Sequence, residues 1–479
     1  MEETQSGLRT VTPRHLERLV DILGVDGVRC DEAALDRYGR DETEDLTYPP
    51  AAALLPSTQE QVSKVLALAH DEWLPVTPRG AGTGLSGGAL PVFGGLVLSL
   101  ERLDRIRTVD ERDLVAEAES GVVLADLQRA VEAKGLFYPP DPGSRETCLL
   151  GGNLAENSAG PRSCKYGSTR HWVLGLEAVL GDGTPLRIGG RNRKDVAGYD
   201  LTHLLVGSEG TLAVITAATL RLVAKPAATL SLLIPFPDLE SAAAAVEAVF
   251  RHGFDPSACE LMEENAIAAV GSVMSLPPQL EGHRALMLLE LDGDAPERLL
   301  ETAAGVAELA EDLGAGEVMA AQDPAEQRRL WQIRRKMGEA VKHRSVYKEA
   351  DTVVPRSKLA DLVRAARRAA ARQGLEAICY GHAGDGNLHV NLLRGNLDGG
   401  SWERRRDAAE QELFEAVTAL GGSITGEHGV GWTQRRFLGL AVDPAALALM
   451  RRQKRVFDPR GILNPGKIFQ TPDSGEGLR

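Results

Sequence analysis

The chain has 479 residues, which predicts two or three domains or one large domain with insertions. Hydrophobic residues make up 43% and charged residues 25%, as in soluble globular proteins, so a disordered or fibrous chain is excluded. The 68 acidic and 54 basic side chains give a net charge of −14, and no Lys/Arg block occurs, so we expect no nucleic acid partner.

The cysteines and the apolar segments indicate the compartment. Five scattered cysteines without a Cys-x-x-Cys pair argue against a disulfide framework, a cysteine-type zinc site or an iron–sulfur cluster, and fit a reducing compartment. The N-terminus has no signal-peptide core, and no segment approaches the roughly 18 apolar residues of a membrane span. We expect a cytoplasmic protein, with peripheral association with the inner face of the membrane and homodimer formation left open.

In the first part of the chain, short apolar runs alternate with helical periodicity and glycine-rich loops. This pattern predicts one α+β domain over residues 1–225. The predicted helices are His15–Leu23, Thr58–His70 and Val123–Lys134, and the predicted strands are Ala51–Leu55, Leu74–Val76, Leu96–Leu100 and Leu114–Ala118.

After Pro226, strand-helix units indicate an α+β cap on one antiparallel sheet over residues 226–425, followed by a C-terminal segment over 426–479. The predicted strands are Leu230–Pro235, Ala285–Leu291, Glu376–Tyr380 and Leu388–Leu393. The predicted helices are Leu239–His252, Pro296–Leu313, Pro324–Val341, Arg356–Gln373 and Trp402–Leu420.

The 51 glycines are concentrated in clusters, and the first cluster covers residues 80–88. Gly82, Gly84 and Gly87 match the dinucleotide fingerprint, but that fingerprint works only when a helix follows the loop. Here a strand is expected next, so we reject a Rossmann fold. A loop with free backbone N–H groups and Arg79 at its start is instead expected to bind a diphosphate, and a flexible surface loop is the alternative.

The second cluster, with residues 139–144, 151–160 and 165–167, is rich in glycine, proline and amide side chains. Each piece alone could be an ordinary turn. Together they suit a site where a flat heterocycle and its hydroxyl groups lie against backbone.

The third and fourth clusters carry histidines and a carboxylate. His382 and His389 lie on either side of the turn in a predicted strand-turn-strand, and two histidines at this spacing are more often structural than metal ligands. Glu427 and His428 follow in the next glycine loop. Glu427 would complete a set of two histidines and one carboxylate, which suits zinc, manganese or iron when a substrate must coordinate directly.

A small acidic substrate needs a cation to bind its carboxylate. Arg334 and Lys348 are candidates, and arginine is favoured because its fork forms two parallel hydrogen bonds to a carboxylate. Most such side chains on helices are simply solvated.

With these motifs, the chain from about Ala51 to Phe469 resembles the flavoproteins of the vanillyl-alcohol oxidase and p-cresol methylhydroxylase (PCMH) type. Within that family it is similar to the FAD-linked D-2-hydroxyacid dehydrogenases. The resemblance implies an α+β fold with a two-subdomain FAD-binding domain of PCMH type, an α+β cap domain with an antiparallel sheet, and a C-terminal segment that returns to the FAD-binding domain.

The resemblance also implies which residues bind non-covalent FAD. Leu85 and Ser86 occupy the place where covalently flavinylated relatives carry a histidine, and Ala159 and Ala213 replace glycines common in the family. The implied FAD-binding residues are Arg79, Gly80, Ala81, Gly82, Thr83, Gly84 and Leu85 at the diphosphate, Asp141, Ser144, Gly152, Asn153 and Asn157 along the flavin, and Gly210, Thr211 and Asn464 around it.

The same resemblance implies roles at the reacting end. His382, His389 and Glu427 would bind a divalent metal, His428 would be the catalytic base, and Arg334, Lys348 and Asn391 would bind substrate. The resulting hypothesis is oxidation of D-lactate, glycolate or a similar D-2-hydroxy acid to the 2-oxo acid. His428, neutral near pH 7, removes the proton of a metal-polarised hydroxyl while hydride passes to flavin N5.

Other functions stay open at this stage. A non-catalytic flavin subunit that relays electrons is one, and an NADPH-using flavin reductase of the enolpyruvyl sugar type is another. A hydrolytic zinc enzyme is the least favoured alternative, because the sequence contains no HExxH helix motif. The electron acceptor is expected to be separate: a quinone, a cytochrome, an electron-transfer flavoprotein or an iron–sulfur subunit.

Overall fold

The computed structural model describes residues 7–470. The start of the domain predicted over 1–225 and the end of the segment predicted over 426–479 therefore lie outside the described residues. The first layer is a four-stranded sheet of order β1-β2-β4-β3, in which β2 and β3 run parallel to β4. Its elements are helices α1 (Pro13–Leu23), α2 (Glu32–Tyr38) and α3 (Gln59–Glu72) and strands β1 (Val28–Arg29), β2 (Ala52–Leu54), β3 (Val76–Arg79) and β4 (Leu96–Ser99).

The second layer is a five-stranded antiparallel sheet of order β5-β6-β10-β8-β9. Its strands, with the small β7-β11 pair, are β5 (Ile106–Asp110), β6 (Val115–Glu119), β7 (Leu136–Phe137), β8 (Val173–Leu180), β9 (Pro185–Gly189), β10 (Ala213–Arg221) and β11 (Val223–Ala224). The helices are α4 (Leu124–Glu132), α5 (Leu150–Glu156), α6 (Ser163–Tyr166) and α7 (Leu201–Leu205).

The third layer is a seven-stranded antiparallel sheet of order β15-β12-β14-β13-β17-β18-β16. Its strands are β12 (Ala228–Phe236), β13 (Ala258–Glu263), β14 (Ala285–Gly293), β15 (Met319–Ala321), β16 (Tyr347–Val353), β17 (Glu376–Gly381) and β18 (Asn387–Leu393). The helices are α8 (Leu239–Arg251), α9 (Glu264–Gly271), α10 (Pro296–Asp312), α11 (Pro324–Arg335), α12 (Met337–Arg344), α13 (Leu359–Arg372), α14 (Gly399–Ala419), α15 (Leu438–Ala441) and α16 (Pro444–Phe457).

Helices cover both faces of the seven-stranded sheet, because side chains alternate between the faces along each strand. One face packs against α8, α10, α13 and α14. The other packs against α9, α11 and α12. Polar residues of β13, β16 and β18 point to this second face, which is therefore the face that can build a site.

The C-terminal segment returns to the first sheet, as the family resemblance implies. Leu463 forms a parallel bridge with Val76. The Val76 N–H donates to the Ile462 carbonyl at 2.8 Å, and the Asn464 N–H donates to the Val76 carbonyl at 2.7 Å. The three sheets and this return of the chain together confirm the predicted α+β fold class with its antiparallel cap sheet.

Several predicted elements need correction. The strand predicted over Leu74–Val76 is wrong in extent, because β3 covers Val76–Arg79 and includes Pro78. Proline fits there because β3 is an edge strand and needs no N–H at that position. The helix predicted over Pro324–Val341 is two helices, α11 and α12, with Lys336 between them. No helix lies within residues 80–95, which confirms the rejection of a Rossmann fold.

Among residues 7–470, no helix has both the length and the apolar character needed to cross a membrane.

One ion pair, between the largely covered Lys454 and the fully buried Asp458, links α16 to the FAD-binding domain. Lys454 Nζ donates to Asp458, to the Thr211 carbonyl at 2.7 Å and to the Leu463 carbonyl at 2.8 Å. The Asp458 carboxylate also accepts the N–H groups of Ile462 and Leu463. This network ties the helix, the returning segment and the loop before β10 together.

We predict that Asp458→Ala lowers the free energy of unfolding by about 3 kcal/mol or more, because it leaves a buried ammonium group without its partner. Urea unfolding followed by circular dichroism would measure this. Asp443→Ala is the control: it removes only the N-terminal cap of the same helix and should cost about 1 kcal/mol. Equal losses for the two variants would contradict the prediction.

Candidate active site

A cavity of about 720 Å³ lies between the loops of the first two sheets and the second face of the seven-stranded sheet. Its two ends carry the two groups of residues that the sequence singled out separately. One end is lined by Arg79, Gly80, Ala81, Gly82, Thr83, Gly84, Leu85, Asp141, Ser144, Gly152, Asn153, Gly210 and Asn464, and the other by Arg334, His382, His389, Glu427 and His428.

Two of the predicted cofactor residues do not line this cavity. Asn157 ends α5 in a left-handed conformation, and its side-chain oxygen accepts the Arg170 N–H at 2.8 Å. The Thr211 hydroxyl donates to the Ser208 carbonyl at 2.7 Å. In the structure, both side chains hold the backbone behind the cavity wall.

The loop after β3 is organised around the Arg79 guanidinium group. Arg79 is buried, its Nη2 donates to the Ala81 carbonyl at 3.4 Å, and its Nη1 has no hydrogen-bond partner. Gly82 has a φ of +80°, and a Cβ there would lie 2.0 Å from the same guanidinium group. The loop therefore needs glycine at this position, and it keeps a buried N–H donor available for an anion.

Two other glycines are explained by a ligand rather than by the protein. Gly84 and Gly152 have no unusual φ, line the cavity, and would place a Cβ where no protein atom lies within 4 Å. Gly152 is inside α5, where glycine costs about 1 kcal/mol relative to alanine. Asn153 beside it has a buried amide nitrogen without a partner. These features fit a flat ligand lying directly against backbone.

At the other end of the cavity, three ligand-type side chains converge. The β17–β18 hairpin carries His382 and His389, and Glu427 comes from the loop after α14. Glu427 Oε1 lies 3.2 Å from His382 Nε2 and 3.5 Å from His389 Nε2. The ligand atoms of the three residues all lie within 4.8 Å of one another, so they could hold a metal ion. Glu349, His389 and His428 form a second such set, which shares His389.

Asp351 fixes the loop that carries Glu427 and His428. It is fully buried, and its Oδ2 accepts the N–H groups of Gly426, Glu427 and His428 at 2.7 to 2.9 Å and the Thr425 hydroxyl at 2.8 Å. Its Oδ1 accepts from the Asn387 amide at 2.6 Å. Burial alone would raise the pKa of Asp351, but His428, His389 and these donors hold it well below its usual range.

Glu260 orients both His382 and Arg334. Its Oε1 lies 2.6 Å from His382 Nδ1, and its Oε2 accepts from Arg334 Nε. The guanidinium group of Arg334 also lies over the Tyr380 ring, 4.8 Å from its centroid. In metal sites, the histidine ring nitrogen that does not bind the metal commonly donates its N–H to a carboxylate. This hydrogen bond fixes the orientation of the ring and its tautomer.

Charge in this cluster is balanced among carboxylates and histidines. Burial acts to raise the pKa of Glu427, but His382, His389 and His428 outweigh it and bring the pKa to about 2. Burial acts to lower the pKa of His382, but Glu260 and Glu427 raise it to about 10.

His428 is surrounded by carboxylates that favour its protonated form. Burial acts to lower its pKa, but Asp351, Glu349 and Glu427 together have the larger effect, so its pKa is raised above the ordinary value. The neutral state near pH 7 stays a prediction.

Two predicted substrate residues lie outside the cavity wall. Lys348 precedes Glu349 on β16 and lines a neighbouring cavity of about 490 Å³. Asn391 is fully buried, and its amide group donates weakly to the Ile378 carbonyl at 3.4 Å. Of the three predicted substrate residues, Arg334 alone lines the cavity that the histidines also line.

Three site residues were missed by the sequence reasoning: Glu260, Glu349 and Asp351. Glu349 and Asp351 alternate on β16, so both face the histidines, and Glu349 Oε1 lies 3.6 Å from His428 Nδ1. Two carboxylates at a spacing of two in a strand-like segment were the available signal. Glu260 stands among apolar residues of β13 and gave no comparable pattern.

Comparison with known families agrees with this division of the cavity. The model of the FAD binding domain matches residues 50–189, and the model of the C-terminal domain of FAD linked oxidases matches residues 225–468. The chain belongs to the FAD-linked oxidase family. Its FAD-binding domain supplies the cavity end with Arg79 and the glycines, and its C-terminal domain supplies the histidines.

Relatives of known name cover nearly the whole chain. The chain is 41% identical to a D-lactate dehydrogenase of Archaeoglobus fulgidus, covering 91% of this chain and 96% of the relative. It is 37% identical to the glycolate oxidase subunit GlcD of Bacillus subtilis, at 95% and 96% coverage. It is 32% identical to a D-2-hydroxyglutarate dehydrogenase of Stutzerimonas stutzeri, at 95% and 99% coverage.

Solved structures agree on the fold. A structure of p-cresol methylhydroxylase superposes with a TM-score of 0.78 at 17% identity, covering 96% of this chain and 98% of the other. The 4-ethylphenol oxidase of Gulosibacter chungangensis gives 0.76 at 18% identity, at 97% and 98% coverage. At this level of identity the likeness supports the PCMH-type fold alone.

For this flavoprotein we predict that Gly152→Ala stabilises the apoprotein by up to about 1 kcal/mol, since alanine favours the α5 helix. The same methyl group enters the FAD cavity and should weaken FAD binding by about tenfold or more. Urea unfolding of apoprotein and quenching of FAD fluorescence would measure the two effects.

The control is Gly439→Ala, because Gly439 is also helical, exposed and free of nearby atoms but lies outside the cavity. FAD affinity should be unchanged in this variant. Unaltered affinity in Gly152→Ala as well would show that FAD does not lie against α5.

Proposed function

We propose that this flavoprotein oxidises a D-2-hydroxy acid to the corresponding 2-oxo acid. The observation that carries the proposal is the single cavity in which the FAD-binding wall faces Arg334, His382, His389, Glu427 and His428. The names of the relatives, a D-lactate dehydrogenase, a glycolate oxidase subunit and a D-2-hydroxyglutarate dehydrogenase, support the substrate class. Bound FAD supplies the acceptor for the hydride from C2.

Arg334 is the proposed anchor for the substrate carboxylate. Only its Nε is engaged by Glu260, so the two terminal nitrogens of its guanidinium fork remain for a carboxylate. Stacking on Tyr380 fixes the plane of the fork, which fixes the orientation of the bound acid. Lys348 and Asn391 stay predictions as substrate residues, because both lie off the wall of this cavity.

His428 is the proposed base for the hydroxyl proton. Its ring stacks on His389 with the centroids 5.2 Å apart, and Asp351 holds its backbone. Glu349 lies beside Nδ1, which favours a proton on that nitrogen and leaves Nε2 to accept one from substrate. The proton goes to His428 as the hydride leaves C2, so the two-electron oxidation is balanced.

We also propose that His382, His389 and Glu427 hold a divalent cation, zinc, manganese or iron. The convergence of their ligand atoms and the Glu260 carboxylate behind His382 support this. When bound, the ion supplies Lewis-acid polarisation of the substrate hydroxyl. A separate acceptor would take up the electrons that bound FAD receives.

The decisive experiment is anaerobic reduction of the purified flavoprotein. We expect D-lactate, the achiral glycolate, D-2-hydroxyglutarate or a longer D-2-hydroxy acid to bleach the flavin absorbance, whereas the L enantiomers of the chiral acids leave it unchanged. A panel of these acids, followed by absorbance and by assay of the 2-oxo product, tests this. A chain that no such acid bleaches, but that accepts electrons from a partner, would be an electron-transfer subunit instead.

Removal of the metal tests whether flavin reduction requires the cation. Dialysis against a chelator should abolish bleaching while FAD stays bound, and zinc, manganese or iron should restore it. Glu427→Gln should prevent the restoration. Full bleaching by protein that elemental analysis shows to be free of metal would remove the cation from the proposal.

For the base, His428→Asn should lower the rate of flavin reduction by roughly 10² to 10⁴-fold, the usual contribution of a general base. FAD content should not change, since His428 is not among the residues expected to bind FAD. Stopped-flow absorbance measures the rate. His343→Asn, at an exposed histidine of α12, is the control and should behave as wild type. Wild-type rates in His428→Asn would exclude His428 as the base.

A further inference from the structure

Two glutamates meet at the junction between the FAD-binding domain and the loop that carries His428. Glu156 ends α5 and lines the FAD cavity, and its Oε2 atom is fully covered and has no hydrogen-bond partner. Glu209 is buried in the turn after α7, in a left-handed conformation with a φ of +51°. Neither residue has a part in the proposed chemistry.

The two carboxylates converge on Gly429, the residue after His428. A Cβ at Gly429 would lie 2.2 Å from Glu156 Oε2 and 3.0 Å from Glu209 Oε1. Gly429 also has a φ of +75°. The loop therefore passes directly over the pair, and no side chain fits between the loop and the two carboxylates.

The hydrogen bonds of the pair are unequal. Glu209 accepts the N–H groups of Val430 at 2.8 Å and Gly431 at 2.7 Å, and the Lys467 ammonium group also favours its charged form. Glu156 receives no such donor. Asp41 is the other charged group that acts on Glu156, and its charge opposes ionisation.

Two nearby carboxylates in a buried site cannot both ionise at low cost, so one of them keeps its proton. Burial raises the pKa of Glu209 as well, but its N–H donors and Lys467 oppose that rise, so the proton is assigned to Glu156. Burial foremost, and then the charges of Glu209 and Asp41, raise the pKa of Glu156 well above the ordinary glutamate range.

We propose that Glu156 is held as a neutral carboxylic acid beside the ionised Glu209, and that this pair fixes the turn at Gly429–Gly431 and thereby the position of His428. Asp351 holds the loop before His428 and Glu209 holds it after, so His428 is fixed from both sides. Glu156 is a positioning residue in this arrangement. Its effect on rate rests on the proposed function, whereas its effect on stability does not.

The first test is thermal stability as a function of pH. The raised pKa of Glu156 means that its contribution is complete below the ordinary glutamate value near 4.5 and is lost as pH rises through the raised value. Glu156→Gln keeps the shape and an N–H donor but cannot ionise. The melting temperature of Glu156→Gln minus that of wild type, both FAD-loaded, should therefore increase from pH 5 to pH 9. A difference that is constant with pH would overturn the proposal.

The second test is the rate of flavin reduction by substrate in stopped-flow experiments. Glu156→Gln should match wild type at pH 7 and keep its rate to higher pH. Glu156→Ala leaves Glu209 without its partner. It should lower the rate of flavin reduction at pH 7 roughly tenfold or more, because misplacement of a reacting group by a fraction of an ångström has such effects. FAD and metal content should be wild type in both.

The two tests separate this inference from the proposed function. If wild type is not reduced by any hydroxy acid, the proposed function fails, and the melting experiment still decides on the pair. If wild type is reduced and Glu156→Ala matches its rate and pH profile, the positioning role of Glu156 is overturned. If the rate of flavin reduction falls at the same high pH in wild type and in Glu156→Gln, the positioning role is overturned as well.

Discussion

The reacting end of this flavoprotein depends on the bonds made by one buried carboxylate, Asp351. A carboxylate without water around it is costly unless donors surround it, and here five donors do so. Four of them come from Thr425–His428, a loop with no regular secondary structure. The position of Glu427 and His428 is therefore set by a strand of the cap sheet rather than by the loop itself.

Charge balance explains much of the remaining architecture. Glu260, Glu349, Asp351 and Glu427 place four carboxylates around three histidines, and the arginine that enters the cluster, Arg334, is held by Glu260. This excess of negative charge raises the pKa of His382 and His428. A cluster of this kind is suited to a cation. The FAD end of the cavity offers buried N–H donors at Arg79 and Asn153.

The fold was largely predictable where local chemistry is strong. Helices with regular apolar periodicity, such as α3, α8 and α10, were found within a few residues of their ends. The β17–β18 hairpin was found as well, with Asn387, His389 and Asn391 on one face. Strand β16 was missed because Glu349 and Asp351 interrupt its apolar pattern, and these are the side chains that face the histidines.

The sequence by itself determined two properties. It placed glycine at positions that need a left-handed φ or a backbone without a side chain, and it placed histidines and carboxylates in short motifs that can bind a ligand. Such properties are local, so the residue type carries them. Only the tertiary structure decided that Glu260 stands behind His382, that Lys348 faces away, and that Glu156 and Glu209 meet at Gly429. Strand register and loop packing bring Glu260 to His382, and Glu156 and Glu209 to Gly429, in each case across more than 100 positions of the chain. No local pattern encodes contacts over that separation.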